Sequence, residues 1–159
     1  MKQIFKPQTE WIPPESFPDL SKYDEIAIDL ETKDPELKIM GSGSVTGKAH
    51  MVGIAVAVHD WSGYYPIRHE GGGNMDLRMV LNWFQDVLKT PAIKIFHNAM
   101  YDVCFIRSEG LKIEGQIVDT MIAGSLVDEN RFRYDLGSLG RDYVGIGKNE
   151  AVLKETADH

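Results

Sequence analysis

The chain holds 159 residues, 43% apolar and 26% charged, enough for one globular domain with its own core. Its 17 basic and 24 acidic residues give a net charge of −7, which counts against a free-standing nucleic-acid binder, although carboxylates that hold cations add negative charge which the ions offset locally. The single cysteine, Cys104, excludes an internal disulfide, and the opening MKQIFKPQTEWIPPESF is neither signal peptide nor membrane span, so a reducing cytoplasm is the expected location.

Four of the seven prolines fall in residues 1–20, which favours an extended arm over a helix and places the folded domain at 21–159. Buried strands are expected at 24–30, at 51–58 (MVGIAVAV) and at 62–67 (SGYYPI), with a tight turn at His59, Asp60 and Trp61. From Asn74, a good N-cap, the positions Leu77, Val80, Leu81, Phe84, Val87 and Leu88 follow helical spacing, and Pro91 lies beyond the end. A strand at 92–96 (AIKIF), a helix at 99–109 stopped by Gly110, a short strand, and helices at 119–127, 135–143 and 149–158 complete the chain. Sequential strands favour antiparallel pairing, and a strand returning after a helix favours parallel pairing, so the order implies an α/β fold with a mixed five-stranded sheet flanked by helices.

The first strand ends in IDLET, with Asp29 and Glu31 two apart. Alternation puts both carboxylates on one face, about 6.6 Å apart along the chain, where like charges await a cation or a proton. With 13 Asp and 11 Glu, about one D-x-E is expected by chance. Asp34 and Glu36 form a second, read as a solvated pair in a proline-bearing loop; Asp29 and Glu31 are favoured because they close an apolar strand. In FHNAMYD, Asn98 and Asp102 are four apart where a helix follows a strand. Asn82 and Asp86 share that spacing but lie within a surface helix, where a plain polar face is expected. If the strand before Asn98 lies beside the first, Asp102 faces Asp29 and Glu31 at the end of the sheet. Oxygen ligands without thiols suit magnesium or manganese, and a pair of such ions can activate water against a phosphodiester. The stretch GSGSVTGKAH, residues 41–50, lacks the Walker A spacing, with Ser42 and Ala49 at its defining positions, and reads as a flexible loop.

Together these motifs resemble the DnaQ-like 3'-5' exonucleases, especially the proofreading domain of family A DNA polymerases of phage and bacteria. IDLET is similar to the Exo I motif, HNAMYD to Exo II, and IVDTMIAGSLVDENRFRYDLGSLGRDYVG to the stretch that follows, a likeness covering about residues 24–155. The resemblance implies a ribonuclease H-like fold and a two-metal mechanism with magnesium or manganese. It implies that Asp29 bridges both ions, Glu31 holds the first and touches the terminal 3'-hydroxyl, Asp102 holds the second, and Asn98 positions substrate or water. His97 and Tyr101 are candidates to contact the terminal nucleotide, with a hydrogen-bonded histidine and a packing tyrosine as the plain alternatives; Asp119 is expected to be a structural N-cap. The implied partners are a single-stranded or frayed DNA 3' end and the rest of a larger polymerase polypeptide, with no membrane, in a bacterial or phage-infected cell.

The chain departs from the family at its third motif, Y-x-x-x-D or H-x-x-x-x-D. Tyr134 is followed four and five positions on by Ser138 and Leu139, and Tyr143 by Gly147 and Lys148. This reads as a fragment cut before that motif, expected to degrade DNA slowly or not at all. Two other readings stay open on sequence: a non-catalytic nucleic-acid-binding or scaffolding module of the same fold, and an RNase D-like ribonuclease.

Overall fold

The computed structural model describes residues 12–146, so the helix expected at 149–158 and the start of the arm lie outside the described residues. Those residues fall into two compact units, divided between Val118 and Asp119. The first contains β1 (Glu25–Lys33), α1 (Leu37–Met40), β2 (His50–Val58), β3 (Trp61–Pro66), α2 (Leu77–Lys89), β4 (Ile93–Phe96) and α3 (Ala99–Ser108), and β5 (Ile117–Asp119) leads out of it.

The five strands form one sheet in the order β3-β2-β1-β4-β5. β1 pairs antiparallel with β2 and parallel with β4, and β2 pairs antiparallel with β3. This is the mixed sheet the element order implies: tight turns give neighbours of opposite direction, and the α2 crossover returns β4 parallel to β1. β1 is therefore the central strand. Its alternation is clean: Ile26, Ile28 and Leu30 are buried while Ala27, Asp29 and Glu31 are exposed. Ile54 and Val56 of β2, Tyr65 of β3, Val80, Phe84, Val87 and Leu88 of α2, and Phe105 and Ile106 of α3 join those three side chains in one core.

Residues 12–20 run along this unit and are tied to an aromatic corner. The Trp83 indole N–H donates to the Pro18 carbonyl (2.8 Å), the Tyr65 hydroxyl donates to the Ser16 carbonyl (3.0 Å), and Phe17 stacks on Tyr65 with ring centroids 5.5 Å apart. α2 buries the apolar stripe read from its sequence, but its N-cap is Asp76, whose carboxylate accepts from the Met79 N–H (2.9 Å), not Asn74. Asn74 instead clamps the loop before the helix, accepting from the His69 N–H (2.6 Å) and donating to the His69 carbonyl (2.8 Å). Lys94 on β4 is fully buried, and its ammonium donates to the carbonyls of Thr90, Ala92 and Glu114. Burial holds its pKa below the usual lysine value. The lysine thus clips the entry to β4 onto the segment leading into β5.

The second unit opens with α4 (Thr120–Val127), capped by Asp119, which accepts from the Met121 N–H (2.9 Å). The helix expected at 135–143 is present as one run, α at α5 (Leu136–Leu139), capped by Asp135, and π over its continuation at Gly140–Val144. The run ends at Gly145, whose φ of 74° is left-handed, and the chain folds back so closely that a Cβ on Gly140 would stand 2.7 Å from the Ile146 carbonyl oxygen.

Candidate functional site

The exposed face of β1 carries Ala27, Asp29 and Glu31. Across the ladder Ala27 pairs with Ala57, Asp29 with Ala55 and Glu31 with Gly53. The two carboxylates therefore rise from a floor of small residues, with their reach unobstructed by bulky neighbours on β2. The register slips between Glu31 and Thr32, where Val52 of β2 has no opposite number: Glu31 faces Gly53, and Thr32 faces Met51. Such a bulge raises the local twist and re-aims the side chains around it.

The second group of candidates comes from the strand beside β1. Ala27 pairs with Ile95, so the parallel strands run out at the same end, Asp29 lying two residues past that pair on one and His97 two past it on the other. The chain then turns sharply at Asn98, whose φ of 67° and ψ of 54° are left-handed. It is the one non-glycine residue with positive φ among the described residues. Asparagine tolerates this conformation better than most residues, and the turn launches α3 straight from the sheet. Asp102 lies in the first turn of α3 and is 4% exposed.

One contact fixes this helix against β1. The Tyr101 hydroxyl and Thr32 Oγ1 are 2.8 Å apart, bridging the residue after Glu31 to the residue before Asp102. The Tyr101 ring lies against Phe105, centroids 4.9 Å apart, and burial holds its phenol pKa above the usual value despite the Thr32 bond. Tyr101 is thus both a packing residue and a strut between the two halves of the site. His97 is half-buried, and Asn98 is exposed at the rim. Asn82 and Asp86 are exposed on α2, as a polar helix face would be.

Asp34 differs from the sequence reading. Its Oδ2 accepts from the Gly43 N–H (2.9 Å) and lies 3.5 Å from the Tyr101 hydroxyl, while Oδ1 is buried and has no hydrogen-bond partner among the described residues. The loop expected to be flexible wraps this carboxylate: Ser44 and Ala49 are buried, and a Cβ on Gly43 would stand 2.8 Å from the Ala49 Cβ and 2.9 Å from Asp34 Oδ1. A solvated pair at 34 and 36 is therefore corrected to a loop-organising Asp34 and an exposed ion pair between Glu36 and Lys48 (2.8 Å). Sequence reasoning also passed over Tyr64. Alternation from Asp29 through Ala55 to Tyr64 puts that phenol on the carboxylate face, a signal present in the strand pattern once the pairing is known.

The donor set at this end of the sheet is all oxygen: two exposed carboxylates on β1 and a third, buried, in α3. Its chemistry fits a hard divalent ion. Among the described residues, however, no group of three or more His, Cys, Asp or Glu side chains stands in a metal-ligating arrangement.

A sequence model of the 3'-5' exonuclease domain of family A DNA polymerases matches residues 6–158. The chain belongs to this family. The chain is 32% identical over 156 residues to a DNA-directed DNA polymerase of Pseudomonas phage M6, a match covering 94% of this chain and 24% of that protein. It spans about a quarter of the length of that relative, and less of DNA polymerase I of Borreliella burgdorferi, to which it is 27% identical over 126 residues (79% of this chain, 13% of that protein). Brucella melitensis NrnC with bound Mg2+ superposes with a TM-score of 0.59 at 20% identity, covering 84% of the exonuclease and 59% of that chain. At this identity the likeness establishes the ribonuclease H-like fold. No helix among the described residues is long and apolar enough to cross a membrane.

Proposed function

We propose that this exonuclease removes nucleotides from a DNA 3' end by hydrolysing the terminal phosphodiester, as the proofreading part of a larger polymerase polypeptide, using magnesium or manganese. The observation that carries the reading is the placement of Asp29 and Glu31 side by side on the exposed face of the central strand, with α3 tied beside them through the Tyr101–Thr32 bond. The phage and bacterial polymerase relatives support DNA over RNA as the substrate.

Asp29, Glu31 and Asp102 are the residues that would hold the ions. When bound, divalent ions supply an activated water and a counter-charge for the oxygen that leaves. The small residues Ala27 and Ala55 beside Asp29 leave room for a sugar-phosphate end, while Gly53 is covered by the Tyr64 ring. Asn98, exposed at the launch of α3, offers an amide to orient the scissile phosphate, and His97 and Tyr101 flank the place where the terminal nucleotide would lie. Neither Tyr134 nor Tyr143 is followed by an Asp at the spacing of the family's third motif, and slow cleavage by these residues is the expectation the test below addresses.

The test is a 5'-labelled single-stranded DNA oligonucleotide incubated with the protein and Mn2+, beside RNA of the same sequence. The expected result is slow shortening from the 3' end, abolished in Asp29→Ala and faster on DNA than on RNA. Preferential cutting of RNA would favour the RNase D-like reading. Retention of DNA without ion-dependent stabilisation or cleavage would favour the binding module.

A further inference from the structure

We infer that Tyr64 is a positioning residue for Glu31, its hydroxyl steadying the carboxylate and His69 steadying the hydroxyl in turn. The inference deepens the proposed function and rests on its assignment of Glu31 as an ion ligand.

Geometry places the phenol beside that carboxylate. Tyr64 stands on β3 opposite Ala55, and its side chain leans along the sheet until it covers Gly53. A Cβ on Gly53 would stand 1.9 Å from Tyr64 Oη and 2.3 Å from Cζ. The ring thus fills the space that any other residue at 53 would need, and Gly53 is the ladder partner of Glu31. The hydroxyl is delivered one strand over, next to the carboxylate. A phenol hydroxyl has one proton to donate and an oxygen that can accept, so it can serve the carboxylate and a further partner at once.

The other side of the hydroxyl is held as well. Tyr64 Oη lies 2.5 Å from His69 Nε2, and the two rings meet edge to face with centroids 5.9 Å apart. His69 is fixed in turn, its backbone N–H and carbonyl both bonded to Asn74. Next to it, Glu70 pairs with Lys33 at the end of β1. A histidine N–H donating to the phenol oxygen leaves the phenol proton for Glu31, so each donor in the row has an acceptor. Partners that orient a ligating carboxylate without touching the ion commonly set its affinity by about tenfold or more.

The experiment is the apparent Mn2+ affinity of the full chain, read from the rise in melting temperature with Mn2+ concentration, for the parent protein and Tyr64→Phe, His69→Phe, Gly53→Ala and Glu31→Gln. Tyr64→Phe keeps the ring and loses the hydroxyl; its affinity is expected to fall about tenfold, with His69→Phe falling less. Gly53→Ala must displace the phenol and is expected to mimic Tyr64→Phe, so the two variants test one point by different routes. Parent-like affinity in Tyr64→Phe and Gly53→Ala, with Glu31→Gln weakened, would overturn the inference and leave the ion assignment standing. A lower ion-free melting temperature at unchanged affinity would mark Tyr64 as merely structural and overturn it too. Parent-like affinity in Glu31→Gln, or no Mn2+ response in the parent, would remove the ion assignment and this inference with it.

Discussion

Asn98 concentrates two demands in one residue. Its left-handed backbone costs an ordinary L-residue about 1–2 kcal/mol and glycine almost nothing. Asn98→Ala should therefore lose about 1 kcal/mol of stability in urea denaturation, and Asn98→Gly less, while both lose the amide and its contribution to cleavage. A variant series in which activity simply follows stability would contradict a role for the side chain. The tyrosines give a second residue-scale test. Burial pushes the phenols of Tyr64 and Tyr65 up to about 12. A raised folded pKa means the native state keeps protons that the unfolded state has lost. The associated stability is intact below about pH 10, the unfolded value. It is lost as pH rises through 12. Absorbance near 295 nm should show both phenols, with that of Tyr101, ionising later than an exposed tyrosine, and the late change should shrink by one phenol in Tyr64→Phe and by one in Tyr65→Phe. Asp29 and Glu31 were legible at this scale because alternation and an apolar run are local. Asp34 was not: its surroundings come from Gly43, nine residues away, and Tyr101, on another element.

At the scale of elements, α2 was readable because its apolar stripe repeats over thirteen residues. Its start was misplaced because Asn74 and Asp76 are both good caps, and only the tertiary need to hold His69 claims Asn74 for the loop. Asp76→Ala should cost about 1 kcal/mol, measured by denaturant unfolding, as the loss of a helix N-cap usually does. β4 depends on Lys94 for its alignment with the segment before β5. Lys94→Ala leaves three carbonyls without their donor and opens a cavity, a loss of about 3 kcal/mol. Lys94→Met restores apolar volume and removes a buried charge, and should cost less. A smaller loss in the alanine variant than in the methionine variant would contradict the account of the clip. The second unit shows what periodicity leaves open: Leu136, Leu139 and Tyr143 suggest one helix, and the run over 136–144 is helical throughout, but it changes from α to π at Gly140 and ends at the left-handed Gly145.

At the scale of the whole molecule, the order of strands and helices was enough to imply the mixed sheet, since handedness and connection rules leave few ways to arrange them. The same order brings the IDLET and HNAMYD segments to one end of the sheet, because the β1–β4 pair juxtaposes segments about seventy residues apart in sequence. Ion binding to the folded state alone stabilises it by about 2.7 kcal/mol at a hundred times Kd, or about 5–10 °C for a chain of this size. That rise should be lost in Asp29→Ala and Asp102→Ala. The central claim, that Asp29, Glu31 and Asp102 act as one divalent-ion site, is tested most directly by anomalous diffraction from crystals soaked in Mn2+. The account predicts Mn2+ peaks at this end of the sheet that between them lie within about 2.5 Å of carboxylate oxygens of Asp29, Glu31 and Asp102; fully occupied peaks elsewhere only, or none near Asp29, would contradict it.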